Sequence, residues 1–107
     1  MEYLNKVLGI EVTYEDVEFK HLPNFIVTRY RLQMASMNGK KVIFLYPKTE
    51  LEQIKVLKKH IARIQKNENK PIVLVLNELG FRQKEYLIRE KIPFIVEGKQ
   101  IYLPFMA

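Results

Sequence analysis

Lys41-Val42-Ile43-Phe44-Leu45-Tyr46-Pro47 and, a helix-length later, Pro71-Ile72-Val73-Leu74-Val75-Leu76 decide the fold. Each is a short apolar run rich in β-branched and aromatic side chains, and neither alternates with polar residues. Such runs suit strands buried on both faces, as in a sheet whose interior strands are at least partly covered on each side. Between them, Leu51, Ile54, Leu57, Ile61 and Ile64 recur at steps of three and four. That spacing puts one apolar stripe on a helix, which the sequence predicts from Thr49 to about Lys66. Thr49-Glu50-Leu51-Glu52 has the form of a capping box at its start, and Asn67-Glu68-Asn69 breaks it. A strand–helix–strand unit with a right-handed crossover makes the two strands parallel.

Upstream, residues 24–34 alternate. Ile26, Thr28, Tyr30, Leu32 and Met34 fall on one face, and Val27, Arg29, Arg31 and Gln33 on the other. This predicts a strand with one wet side, joined to residues 41–46 through Asn38-Gly39, a pair that tolerates the positive φ of a tight hairpin turn. Residues 2–8 predict a short helix ended by Gly9. Residues 10–20 suit either an edge strand or an irregular arm. Downstream, residues 80–91 read as a helix stopped at Ile92-Pro93, and residues 94–96 and 100–103 as a terminal hairpin around Glu97-Gly98-Lys99. The expectation is one α/β domain over residues 1–107, with a mixed sheet of about five strands, a β-hairpin feeding a βαβ unit, and helices packed on the sheet.

Composition narrows the function classes. The 107 residues contain no cysteine, which excludes disulfides, thiol nucleophiles and thiolate metal sites. No apolar run approaches the roughly 20 residues of a spanning helix, and the start lacks the pattern of a secretory signal, so a cytoplasmic protein is expected. The four glycines, at 9, 39, 80 and 98, stand alone and form no phosphate loop. Ser36, the only serine, has no nucleophile-elbow surroundings. His21 and His60 have no second ligand at metal-binding spacing and read as surface or boundary residues. No catalytic residue, cofactor or metal ligand is assigned.

The formal net charge is +6, unevenly spread. Residues 1–20 are acidic, with Glu2, Glu11, Glu15, Asp16 and Glu18 against Lys6 and Lys20, whereas residues 21–47 carry Arg29, Arg31, Lys40 and Lys41 and no acid. On the predicted central helix, Lys55, Lys59, Arg63 and Lys66 step by four, four and three on the side away from the apolar stripe. Such a row is either a ridge for a phosphate backbone or simply the solvated side of the helix. Arg29 and Arg31 extend it only if the fold brings them alongside. DNA is therefore the candidate partner, through weak contacts that read no sequence.

Glu97-Gly98-Lys99 also fits the acid-x-Lys step of metal-dependent nucleases, with Glu78 as a further acid. It is equally good turn chemistry, and residues 41–46, where such a nuclease needs carboxylates, contain none.

The segment Leu87-Ile88-Arg89-Glu90-Lys91-Ile92-Pro93-Phe94-Ile95-Val96-Glu97-Gly98-Lys99-Gln100-Ile101-Tyr102-Leu103-Pro104-Phe105 resembles one in bacterial winged-helix, MarR-like transcriptional regulators. The resemblance extends back through the hairpin and the strand at 71–76. It implies a domain that precedes a DNA-binding winged helix, a C-terminal domain absent from this chain, and a role in dimerisation, sensing or auxiliary phosphate contact. The order of elements also resembles the restriction-endonuclease-like core, including versions that have lost their catalytic acids. A divergent metal-dependent nuclease is the alternative that this second resemblance implies. The apolar end Leu103-Pro104-Phe105-Met106-Ala107 suits either a docked terminus or continuation into a longer protein. Tyr102 and Phe105 there either contact a second subunit or following domain, as in a homodimer, or complete the core.

Overall fold

The computed structural model describes residues 1–106. In chain order the elements are α1 (Glu2–Leu8), β1 (Val12–Glu15), α2 (Asn24–Val27), β2 (Tyr30–Met37), β3 (Lys40–Pro47), α3 (Ile54–Asn67), β4 (Ile72–Leu76), α4 (Phe81–Arg89), β5 (Phe94–Val96) and β6 (Gln100–Tyr102), followed by a 3₁₀ turn at Pro104–Met106. The six strands form one mixed sheet in sequence order. β1, β2 and β3 are antiparallel neighbours, β3, β4 and β5 run parallel, and β6 returns antiparallel to β5.

The expected architecture is the one observed, with an added edge strand. β3 has no exposed apolar side chain because both of its faces are covered. Ile43 and Leu45 pack on one side with Leu57 and Ile64 of α3 and Leu87 of α4. Val42 and Phe44 pack on the other side with Leu4 of α1, Val73 and Ile95. Both parallel crossovers place their helices on the first side, called here the helical face. The opposite face is covered by α1 and by the chain after β6, through Leu103, Phe105 and Met106. The hairpin at Asn38 and Gly39, with φ of 50° and 85°, sets a register that runs unbroken from Met37 opposite Lys40 to Tyr30 opposite Pro47.

Two sequence expectations need correction, and both concern where an element begins. Residues 24–27 are a helical turn rather than the start of β2. β3 ends at Pro47, so nothing remains for these residues to pair with, and their backbone closes on itself behind Pro23 instead. The Thr28 hydroxyl donates to the Asn24 carbonyl at 2.8 Å, and Ile26 is buried in the core. The capping box at Thr49 does not form either. α3 starts at Ile54, and the Glu52 carboxylate that the box would use lies 2.5 Å from Arg29. A charged donor outcompetes an amide for the same oxygen.

Candidate nucleic-acid interface

α3 is held by Leu57, His60 and Ile64, which point into the sheet. Its outward side then carries whatever lies about half a turn away, and there the spacing puts Lys55, Lys59 and Lys66, all exposed. The segment Ile54–Asn67 contains five cations and no acid. Among the described residues, no carboxylate oxygen lies within 4.0 Å of these three lysines. The fifth cation on this helix, Lys58, lies outside the expected row and is tied to Glu90 of α4 at 3.0 Å. The three free ammonium groups thus form a row along one helix, able to neutralise phosphates without reading bases.

The other three expected contacts separate. Arg63 sits at the flank of α3, partly buried, where its guanidinium donates to Asn67 and to the His21 carbonyl. It holds the loop before α2 rather than facing outward with the lysines. Arg29 lies in the turn ahead of β2 and is engaged by Glu52. Arg31 is on β2 opposite Tyr46, so it projects from the face of the sheet away from α3. Its guanidinium carbon is 3.8 Å from the centre of the Tyr46 ring, a cation–π stack. The six basic residues therefore occupy four separate environments.

Two further clusters lie outside the expected ridge. Beneath α3, His60 is only 7% exposed, with its Nδ1 2.6 Å from the Tyr30 hydroxyl. Burial pushes the Tyr30 phenol up to about 12, assisted by Glu52 and opposed by Arg29. The same desolvation lowers the His60 pKa, Glu52 opposing and Arg29 assisting. The phenol keeps its proton and the imidazole is neutral, so the two share a neutral hydrogen bond whose direction follows the imidazole tautomer. The spacing of Tyr30 and His60 in sequence carries no hint of this contact. On the opposite face, the Tyr46 hydroxyl donates to Gln33 Oε1 at 2.9 Å, and Tyr14 meets Phe44 edge to face at 6.1 Å between ring centres. Burial raises the Tyr14 and Tyr46 pKa values, with Glu97 adding to the rise and Arg31 opposing it. The alternation that put Arg31 and Gln33 on one face of β2 was the available signal for this group.

The nuclease residues lie on the segments that follow β4 and β5, whose ends are paired through Leu76 and Val96. Glu97 and Lys99 flank Gly98, whose φ of 77° makes the turn between β5 and β6. Glu78 instead lines a cleft of about 550 Å³ at the C-terminal ends of β3 and β4, with Thr49, Glu50 and Asn77. Among the described residues, no three His, Asp or Glu side chains are grouped to hold a metal ion. No helix among them is long and apolar enough to cross a membrane. No family model, curated protein or solved structure matches the chain.

Proposed function

We propose that this domain is a non-enzymatic module of a bacterial DNA-binding regulator, adding sequence-independent phosphate contacts through α3. The observation that carries the reading is the row of Lys55, Lys59 and Lys66 on a helix that contains no acid, with no carboxylate within 4.0 Å of them among the described residues. The resemblance of residues 87–105 to MarR-like regulators supports the choice of DNA, with base reading left to a winged-helix domain outside this chain. The alternative, a divergent nuclease built on Glu97 and Lys99, is less well supported, because among the described residues no three His, Asp or Glu side chains are grouped to hold a metal ion.

The test is a fluorescence-anisotropy titration of random-sequence duplex DNA at several salt concentrations. Wild type is compared with the Lys55→Ala/Lys59→Ala/Lys66→Ala variant. Each lost phosphate contact removes roughly 0.9 from the slope of log affinity against log salt. A wild type that does not bind at low salt, or a triple variant with an unchanged slope, overturns the reading. Cleavage of the same DNA on adding Mg²⁺ would favour the nuclease instead.

A further inference from the structure

Between the start of α3 and the middle of α4 lies an open groove of about 490 Å³ with an apolar floor made by Leu51, Ile54, Leu57, Tyr86 and Leu87. It is independent of the lysine row, since its character depends on α4. Tyr86 is 43% exposed at the groove, and elsewhere on the same helix Phe81 is 75% exposed. Solvated aromatics beside an apolar trough mark contact surfaces more often than isolated exposed residues do. The one carboxylate lining the trough, Glu52, is already engaged by Arg29.

The rim is cationic. Arg82 and Arg89 stand four residues before and three after Tyr86, on the same side of α4. The Arg89 guanidinium carbon is 5.4 Å from the centre of the Tyr86 ring. Lys58, one turn beyond Ile54, is already paired with Glu90 at 3.0 Å and adds no free charge. Both arginines are exposed, and among the described residues neither has a carboxylate within 4.0 Å. A trough that takes hydrocarbon in its centre and negative charge at its edges is complementary to one kind of occupant. A nucleic-acid backbone matches the rim but offers nothing to a floor of leucine and isoleucine, whereas an acidic peptide carrying apolar side chains satisfies both.

We infer that the α3–α4 groove is a docking site for an acidic, amphipathic segment of a partner protein. Apolar side chains of that segment fill the floor beside Tyr86, and its carboxylates meet Arg82 and Arg89. The segment arrives with its charges already solvated at the rim, so most of the binding energy comes from the buried apolar contacts.

The experiment uses the full chain and two labelled synthetic peptides of equal length and charge. One is glutamate-rich with leucines at positions i, i+3, i+4 and i+7; the other has serine at those positions. The leucine peptide is expected to bind roughly tenfold or more tighter, the scale of two or three partly buried methylene-rich contacts. Tyr86→Ala should remove most of that preference, and Arg82→Glu/Arg89→Glu should weaken both peptides. Circular dichroism checks that these surface variants stay folded, and Phe81→Ser serves as a further exposed change on the same helix. Equal binding of the two peptides, no binding of the leucine peptide, or an unchanged preference in Tyr86→Ala overturns the inference. The nucleic-acid reading is judged separately, because none of these variants touches Lys55, Lys59 or Lys66.

Discussion

The Tyr30 hydroxyl lies 2.6 Å from Nδ1 of His60 and joins β2 to the underside of α3. The helix that carries the lysine row is therefore seated on a neutral imidazole. Phe25 packs against the same ring, with centroids 5.6 Å apart, and Arg29 and Glu52 are the charged groups nearby that act on it.

This seat makes stability depend on pH. The His60 pKa is lowered in the fold, so the unfolded chain takes up a proton first as pH falls. The stabilisation is complete above the unfolded value of about 6.5 and declines as pH drops below it toward the folded value. Urea midpoints should fall between pH 7.5 and 5.5 in wild type and fall less in His60→Gln, whose amide can still hydrogen-bond to Tyr30. Equal falls in the two proteins would assign the effect to other groups.

The four cations of the expected ridge should divide in a stability assay. Lys55, Lys59 and Lys66 have no carboxylate partner among the described residues, so their alanine variants should melt within about 0.5 kcal/mol of wild type. Arg63→Ala removes the bonds to Asn67 and the His21 carbonyl. Its measurable consequence should be faster proteolysis in residues 16–23, with a small loss of stability. Cleavage at the wild-type rate would show that Arg63 does not hold the loop.

Leu57 is fully buried between α3 and the sheet. Leu57→Ala should cost about 2–5 kcal/mol by lost transfer energy and the cavity left behind. Chemical denaturation reads this directly, and a cost below about 1 kcal/mol would mean that α3 is less firmly docked than its packing indicates.

Gly39 has a φ of 85°, and a Cβ built there meets nothing within 4 Å. The cost of Gly39→Ala is therefore conformational and not steric, about 1 kcal/mol. Asn38, at φ 50°, tolerates the same region through its side chain, and its Oδ1 also accepts the Glu11 amide at 2.8 Å. Asn38→Ala should thus cost at least as much as Gly39→Ala, and the reverse order would question the bond that ties the start of β1 to the hairpin.

Much of the architecture was legible because it rests on local periodicity. The double-sided runs at β3 and β4, the stripe of α3 and the Asn38-Gly39 turn each declare their environment within a few residues. Element starts were harder to read. Residues 24–27 alternate as a strand would, but the strand opposite them has already ended at Pro47, and Thr49 to Glu52 reads as a cap until Arg29, distant in sequence, takes the carboxylate.

From sequence alone come the α/β class, the parallel crossover and a row of lysines opposite an apolar stripe, because side-chain period and residue type act over one or two turns. Only the tertiary structure decided that Arg31 faces away from α3, that Arg63 ties down a loop, and that His60 meets Tyr30. It also set the α3–α4 groove, whose walls come from helices separated by a strand. Each of these depends on which face of the sheet a residue reaches and on what arrives there from far along the chain. Charge and spacing in one dimension do not carry that information.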